Sequence, residues 1–113
     1  MGNATKTEGD SAIKTTVWWV YLLRNERNAL YTGITTHIDR RLSEHREKQT
    51  KGARFTRSCR EITLVYHCGV GDRSFALKVE ARIKRLKKYQ KEAIVSSGFK
   101  RADLCYFLAI PEP

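Results

Sequence analysis

Val17-Trp18-Trp19-Val20-Tyr21-Leu22-Leu23 and Leu30-Tyr31-Thr32-Gly33-Ile34, separated by the polar stretch Arg24-Asn25-Glu26-Arg27-Asn28 and Ala29, decide how this chain folds. Both runs are dense in aromatic and β-branched residues, which suit a pleated, half-buried surface. The link between them is short and polar, so it reads as a turn. Two strands joined this closely form an antiparallel hairpin. Tyr21 and Tyr31 thereby fall on neighbouring strands.

Working outward, residues 1 to 14 are polar, contain Gly2 and Gly9, and have no apolar period. They read as a mobile tail. After the hairpin, Thr36-His37-Ile38-Asp39 is a variant capping box, with Asp where Glu is usual. It predicts a helix from His37 to about Lys48, with Ile38 and Leu42 as its inward pair. Residues 49–60 are basic and aperiodic, hence a loop; Ile62 to Cys68 reads as a third strand. Gly71-Asp72-Arg73-Ser74 supplies a turn and an N-cap for a long helix with Ala76, Val79, Ile83 and Leu86 on its buried face. A break near Tyr89 and Gln90 and a short helix ending before Gly98 follow. The apolar segment from Leu104 to Ile110, closed by Pro111 and Pro113, carries no clear period and receives no element. The expected fold class is α/β: a small three-stranded, largely antiparallel sheet flanked by helices, in the order β-β-α-β-α-α. The expected division is a tail over 1–14, a single domain over 15–98 and a C-terminal extension over 99–113.

The 113 residues carry 22 Lys plus Arg against 12 Asp plus Glu, a net charge of +10. That balance points to a polyanion partner, nucleic acid ahead of an anionic membrane surface. No apolar run approaches the roughly 18 residues of a membrane span. The N-terminus has no apolar signal core, so the expected location is the cytoplasm. Cys59, Cys68 and Cys105 are odd in number and widely spaced, which favours free structural thiols over disulfides or a metal cluster. His67 and Cys68, adjacent in a strand, would point to opposite faces.

Tyr21, then Tyr31-Thr32-Gly33, then Arg41 and His45 at i, i+4 on one helix, then Glu80 in the later helix, resembles the GIY-YIG nuclease family. The likeness is greatest to its small stand-alone bacterial members and covers roughly residues 17 to 97. The signature departs in two places: Val20-Tyr21 has no preceding glycine, and Thr32 replaces the central isoleucine. The resemblance implies that Tyr21, Tyr31, Arg41, His45 and Glu80 are catalytic, and that Glu80 holds one Mg²⁺ or Mn²⁺ ion. In the excision-repair members an asparagine follows the glutamate by twelve residues; here the position is Glu92. Singly, each residue has a plainer use: filler tyrosines, a solvated arginine, a packing histidine, and a Glu80 paired with Lys84 at i+4. Their joint order favours a site.

The chemistry is coherent. Phosphodiester hydrolysis needs an activated water and cations to balance charge growing on the phosphate. Arg41 can fork onto a phosphate oxygen. Mg²⁺ takes one or two carboxylates, with phosphate and water completing its shell. A tyrosine is an awkward base, because moving its pKa from ~10 to ~7 requires about 4 kcal/mol of phenolate stabilisation. Either Tyr21 or Tyr31 could fill that role.

Lys51, Arg54 and Arg57 of the loop, with Arg60, and Lys78, Arg82 and Arg85 of the long helix are the expected DNA contacts. Phe55 is either a base-stacking platform or the loop's anchor. Gly33 allows close approach beside its strand. The expected function is therefore a divalent-metal-dependent endonuclease acting on DNA, in repair or processing, with RNA as the other polyanion substrate. The competing expectations are a nucleic-acid-binding module without catalysis and a nuclease subunit that requires a protein partner.

Overall fold

The computed structural model describes residues 16–48 and 61–113. The expected tail and the basic loop, with Lys51, Arg54, Arg57, Phe55, Arg60 and Cys59, lie outside the described residues. Strand β1 (Trp18–Asn25) is the middle strand of a three-stranded sheet. Strands β2 (Leu30–Thr35) and β3 (Ile62–Gly71) flank it, both antiparallel, as the hairpin reading expected. Being central, β1 is covered on both faces, so Val20, Tyr21, Leu22 and Leu23 are all buried. That is why its sequence is a continuous apolar run rather than an alternation. Strand alternation then sorts these residues: Val20 and Leu22 join one cluster, Tyr21 and Leu23 the other.

The first face is covered by α2 (Arg73–Lys84), α3 (Lys88–Ser97) and α4 (Arg101–Leu108), which supply Phe75, Ala76, Val79, Ile83, Ile94, Leu104 and Leu108. The second face, with Tyr21, is covered by α1 (Ile38–Lys48) through Ile38 and Leu42. His67 is exposed and Cys68 buried, so the two do diverge. Cys68 and Cys105 are free and buried. No helix of the described residues is long and apolar enough to cross a membrane.

Local chemistry fixes the joints. Asn25 Oδ1 accepts from the backbone N–H groups of Arg27 and Ala29, at 3.0 Å each, and Asn28 adopts φ 67°, which closes the hairpin. At the start of α1, the ring of His37 rather than the side chain of Thr36 caps the helix: its Nδ1 accepts from Arg40 N at 3.3 Å. Asp72 caps α2 by accepting from Phe75 N at 2.8 Å. The break after α2 falls at residues 85–87, earlier than Tyr89 and Gln90. Gln90 starts α3 instead of ending α2, because its Oε1 accepts from Lys87 N at 2.9 Å. Gly98 (φ 62°) ends α3 as expected. The segment left without an element is α4, whose buried Leu104, Cys105 and Leu108 share the core of the larger face.

Candidate active site

The site begins with a missing atom. Tyr21 on β1 pairs with Gly33 on β2. A Cβ at position 33 would lie 2.5 Å from Tyr21 Cζ and 3.0 Å from Cε2, closer than non-bonded carbons tolerate. The ring of Tyr21 therefore lies across the bare backbone of Gly33. This is the close approach that the glycine permits.

From that seat the Tyr21 hydroxyl reaches His45 Nε2 at 3.1 Å, in a bond buried from water. His45 stands one turn after Arg41 on α1 and is only 3% exposed. The Tyr31 ring completes a triangle: its centroid is 5.1 Å from His45 and 6.4 Å from Tyr21, with Tyr21 and His45 6.1 Å apart. His45 meets both tyrosines edge-on, at 71° and 69°, while the two tyrosine rings are tilted at 44°, arrangements that favour aromatic packing.

Charge enters from two helices. Arg41 is held by Glu44 at 3.0 Å and is near enough for its guanidinium to act on the Tyr21 phenol. Glu80, from α2, is close enough for its carboxylate to act on the Tyr21 phenol. Burial pushes the Tyr21 phenol up from its ordinary value; Arg41 pulls it down, while Tyr31 and Glu80 push it further up. The upward causes win, so Tyr21 is a protonated phenol at neutral pH. The Glu80–Lys84 pair does form, at 3.4 Å. Lys84 is 54% exposed, however, and pairs of that kind contribute little. Glu80, 18% exposed, thus remains open to a ligand.

The same burial bears on stability. Tyr66, which donates to Phe99 O at 2.6 Å, has its phenol raised by burial and by nearby Cys68. Cys68 and Cys105 are also raised, chiefly by burial. For each group the folded protein holds its proton more tightly than the unfolded chain. The contribution is therefore complete below the unfolded values, ~8.5 for Cys and ~10 for Tyr, and is lost as pH rises above them. Urea midpoints should be level between pH 7 and 8 and fall clearly by pH 10.5. A midpoint unchanged at pH 10.5 would contradict this account.

The five expected catalytic residues thus come together from four elements. The basic helix stripe does not join them. Lys78, Arg82 and Arg85 lie roughly 140–200° around α2 from Glu80, given about 100° per residue. Arg82 moreover donates to Leu108 O at 2.6 Å, closing the C-terminal end of α4. The side of α2 that carries Glu80 presents Lys84, which sequence reading treated only as a pairing residue. Glu92 is held in a two-pronged pair by Arg24 at 2.6 Å on both oxygens. The Arg24 guanidinium holds its carboxyl below the ordinary range.

Among the described residues no group of three or more His, Cys, Asp or Glu side chains is gathered. The donor set at the site is a single carboxylate beside phenol oxygens. That set fits a hard cation such as Mg²⁺, which takes one or two protein carboxylates and fills its shell with phosphate and water.

Known proteins are similar to this chain in sequence. The GIY-YIG catalytic domain matches residues 17–93, a span that contains all five residues. The chain is 47% identical over 97 residues to the UPF0213 protein YhbQ of Escherichia coli K12, covering 86% of this chain and 95% of that one. It is 55% identical over 78 residues to a UPF0213 protein of Pectobacterium carotovorum, covering 69% and 77% respectively. A UPF0213 protein of Bacillus halodurans, solved by NMR, aligns at 29% identity and TM-score 0.48 over 84% of this chain and 99% of its own. The extent of the domain match and the identity to its relatives make this chain a member of the GIY-YIG family of nucleases.

Proposed function

We propose that the protein is a divalent-metal-dependent endonuclease that hydrolyses DNA phosphodiester bonds, leaving a 5′-phosphate and a 3′-hydroxyl. The observation that carries this reading is the buried Tyr21–His45 hydrogen bond with Arg41 and Glu80 beside it. A phenol raised by burial cannot act as a base unless its own proton has somewhere to go. In the tautomer that carries its proton on Nδ1, His45 offers Nε2 as that place. As water attacks phosphorus, its proton passes to the Tyr21 oxygen while the phenol proton moves to His45 Nε2. The P–O3′ bond breaks and the departing oxygen takes a proton from solvent. Arg41, fixed by Glu44, balances charge on the phosphate. Tyr31 orients the water from the rim of the ring triangle. Glu80 would hold the cation, which when bound would draw electron density from the phosphate. Family resemblance suggests a setting in DNA repair or processing.

Supercoiled plasmid incubated with the protein and Mg²⁺ or Mn²⁺ should be nicked, and excess EDTA should stop the reaction. Tyr21→Phe and His45→Ala should each lower kcat about 100-fold with KM nearly unchanged, as loss of general-base transfer does. Nicking by Tyr21→Phe at the wild-type rate would remove the relay. A second reading, binding without cleavage, is favoured by one feature: Glu92, where repair relatives carry an amide, is engaged by Arg24. It predicts salt-sensitive DNA binding and no product with either metal.

A further inference from the structure

Beside the ring triangle, on the same face of the sheet, lies a second feature that the relay does not use. His67 on β3 is the cross-strand partner of Tyr21, and Trp19 precedes Tyr21 by two residues on β1. Both therefore project to the α1 side. Their rings meet at a centroid distance of 5.6 Å and an angle of 53°. They form one wall of an open cleft of about 370 Å³, whose other lining includes Leu64, Thr36, His37 and Asp39. His67 and Asp39 are exposed and Trp19 is half-buried, so the aromatic pair is a surface platform, not core filler.

We infer that this cleft receives an unpaired nucleobase of the bound strand, next to the phosphate that the site cleaves; the inference rests on the nuclease reading for its geometry. The chemistry selects a base over the other parts of a nucleotide. Trp19 and His67 offer faces for stacking, the sequence-tolerant way in which single strands are held. A phosphate is disfavoured because the polar edge of the cleft carries the Asp39 carboxylate, for which no ion pair occurs among the described residues. A carboxylate instead accepts from ring N–H and amino groups, which cytosine, adenine and guanine present and which thymine offers only in part. A base inside a duplex cannot enter such a cleft without leaving its stack. The substrate class that follows is single-stranded, flapped or locally unpaired DNA, ahead of intact duplex.

The test uses the full chain in metal-free buffer, where binding is read without cleavage. Fluorescence anisotropy would compare a labelled single strand with a blunt duplex of equal length. Trp19→Ala and His67→Ala should each weaken single-strand binding about tenfold and change duplex binding less than twofold. Asp39→Asn should weaken oligo-dC and oligo-dA binding more than oligo-dT. Equal losses on both substrates, or no loss from His67→Ala, would overturn the inference. His67 is an exposed strand residue, so that variant decides the matter even if Trp19→Ala does not fold. The nuclease reading is judged separately, by Mg²⁺-dependent nicking of plasmid by the wild-type protein.

Discussion

Glu80→Ala is expected to lower Mg²⁺-dependent nicking by at least about 10³-fold while changing DNA affinity less than about twofold. The reasoning is local. Glu80 is the carboxylate that α2 brings near Tyr21, and loss of a cation that stabilises transition-state charge by several kcal/mol costs tenfold for each 1.36 kcal/mol. The fold should survive. The side chain is partly exposed, and its bond to Lys84 is a surface pair worth a fraction of a kcal/mol. Removing it leaves no void in the core formed by Ala76, Val79 and Ile83. Glu80→Gln, which keeps the shape and removes the charge, should be nearly as inactive. Wild-type nicking by Glu80→Ala, with an unchanged melting temperature, would sink the assignment of this residue. DNA affinity should hold because Arg41 and the exposed cations are untouched.

Gly33→Ala should be nearly as damaging although it adds only a methyl group. That methyl would stand 2.5 Å from Tyr21 Cζ, and the ring it meets is rigid, 2% exposed and tied at its far end to His45. Overpacking of this kind costs about 1–3 kcal/mol of stability. Displacing a reacting group by about 1 Å can cost roughly 100-fold in rate. Both losses should therefore appear together, in a urea melt and in the nicking assay. A double-mutant comparison separates them. In a Tyr21→Phe background Cζ remains, so Gly33→Ala should still destabilise, yet it should cost little further activity because the hydroxyl is already gone. If Gly33→Ala were stable and active, the seat described for Tyr21 would be wrong.

The parts of this fold that were readable had a strong one-dimensional pattern. β1 is an unbroken apolar run because both its faces are covered, and α2 repeats Ala76, Val79 and Ile83 at helical spacing. Tyr21, Tyr31, Arg41, His45 and Glu80 could be nominated together because their order along the chain resembles that of the GIY-YIG family. What escaped depends on contacts across the chain. α4 has eight residues, too few for a period to emerge, and its buried Leu104, Cys105 and Leu108 make sense only against the sheet and α2. Nothing near Arg82 in sequence betrays its bonds to the carbonyls of Leu108 and Ala109, more than twenty-five positions away. The Tyr21–His45 bond spans 24 positions and two elements, so the order of residues could nominate both without joining them. Gln90 misled for a simpler reason: a polar side chain at a helix junction can end one helix or begin the next, and the difference is a single hydrogen bond to Lys87.

The bare backbone under Tyr21 also acts on assembly of the hairpin. Sliding β2 by one residue against β1 would turn its other face to α1. Sliding it by two would keep the face but bring Tyr31 or Thr35, each with a Cβ, under the tyrosine ring. Of the nearby alignments on that face, only the native one offers Tyr21 an open floor. The glycine is thus a registration key: the alignment that lets the two strands close without a clash is the one that delivers the phenol to His45.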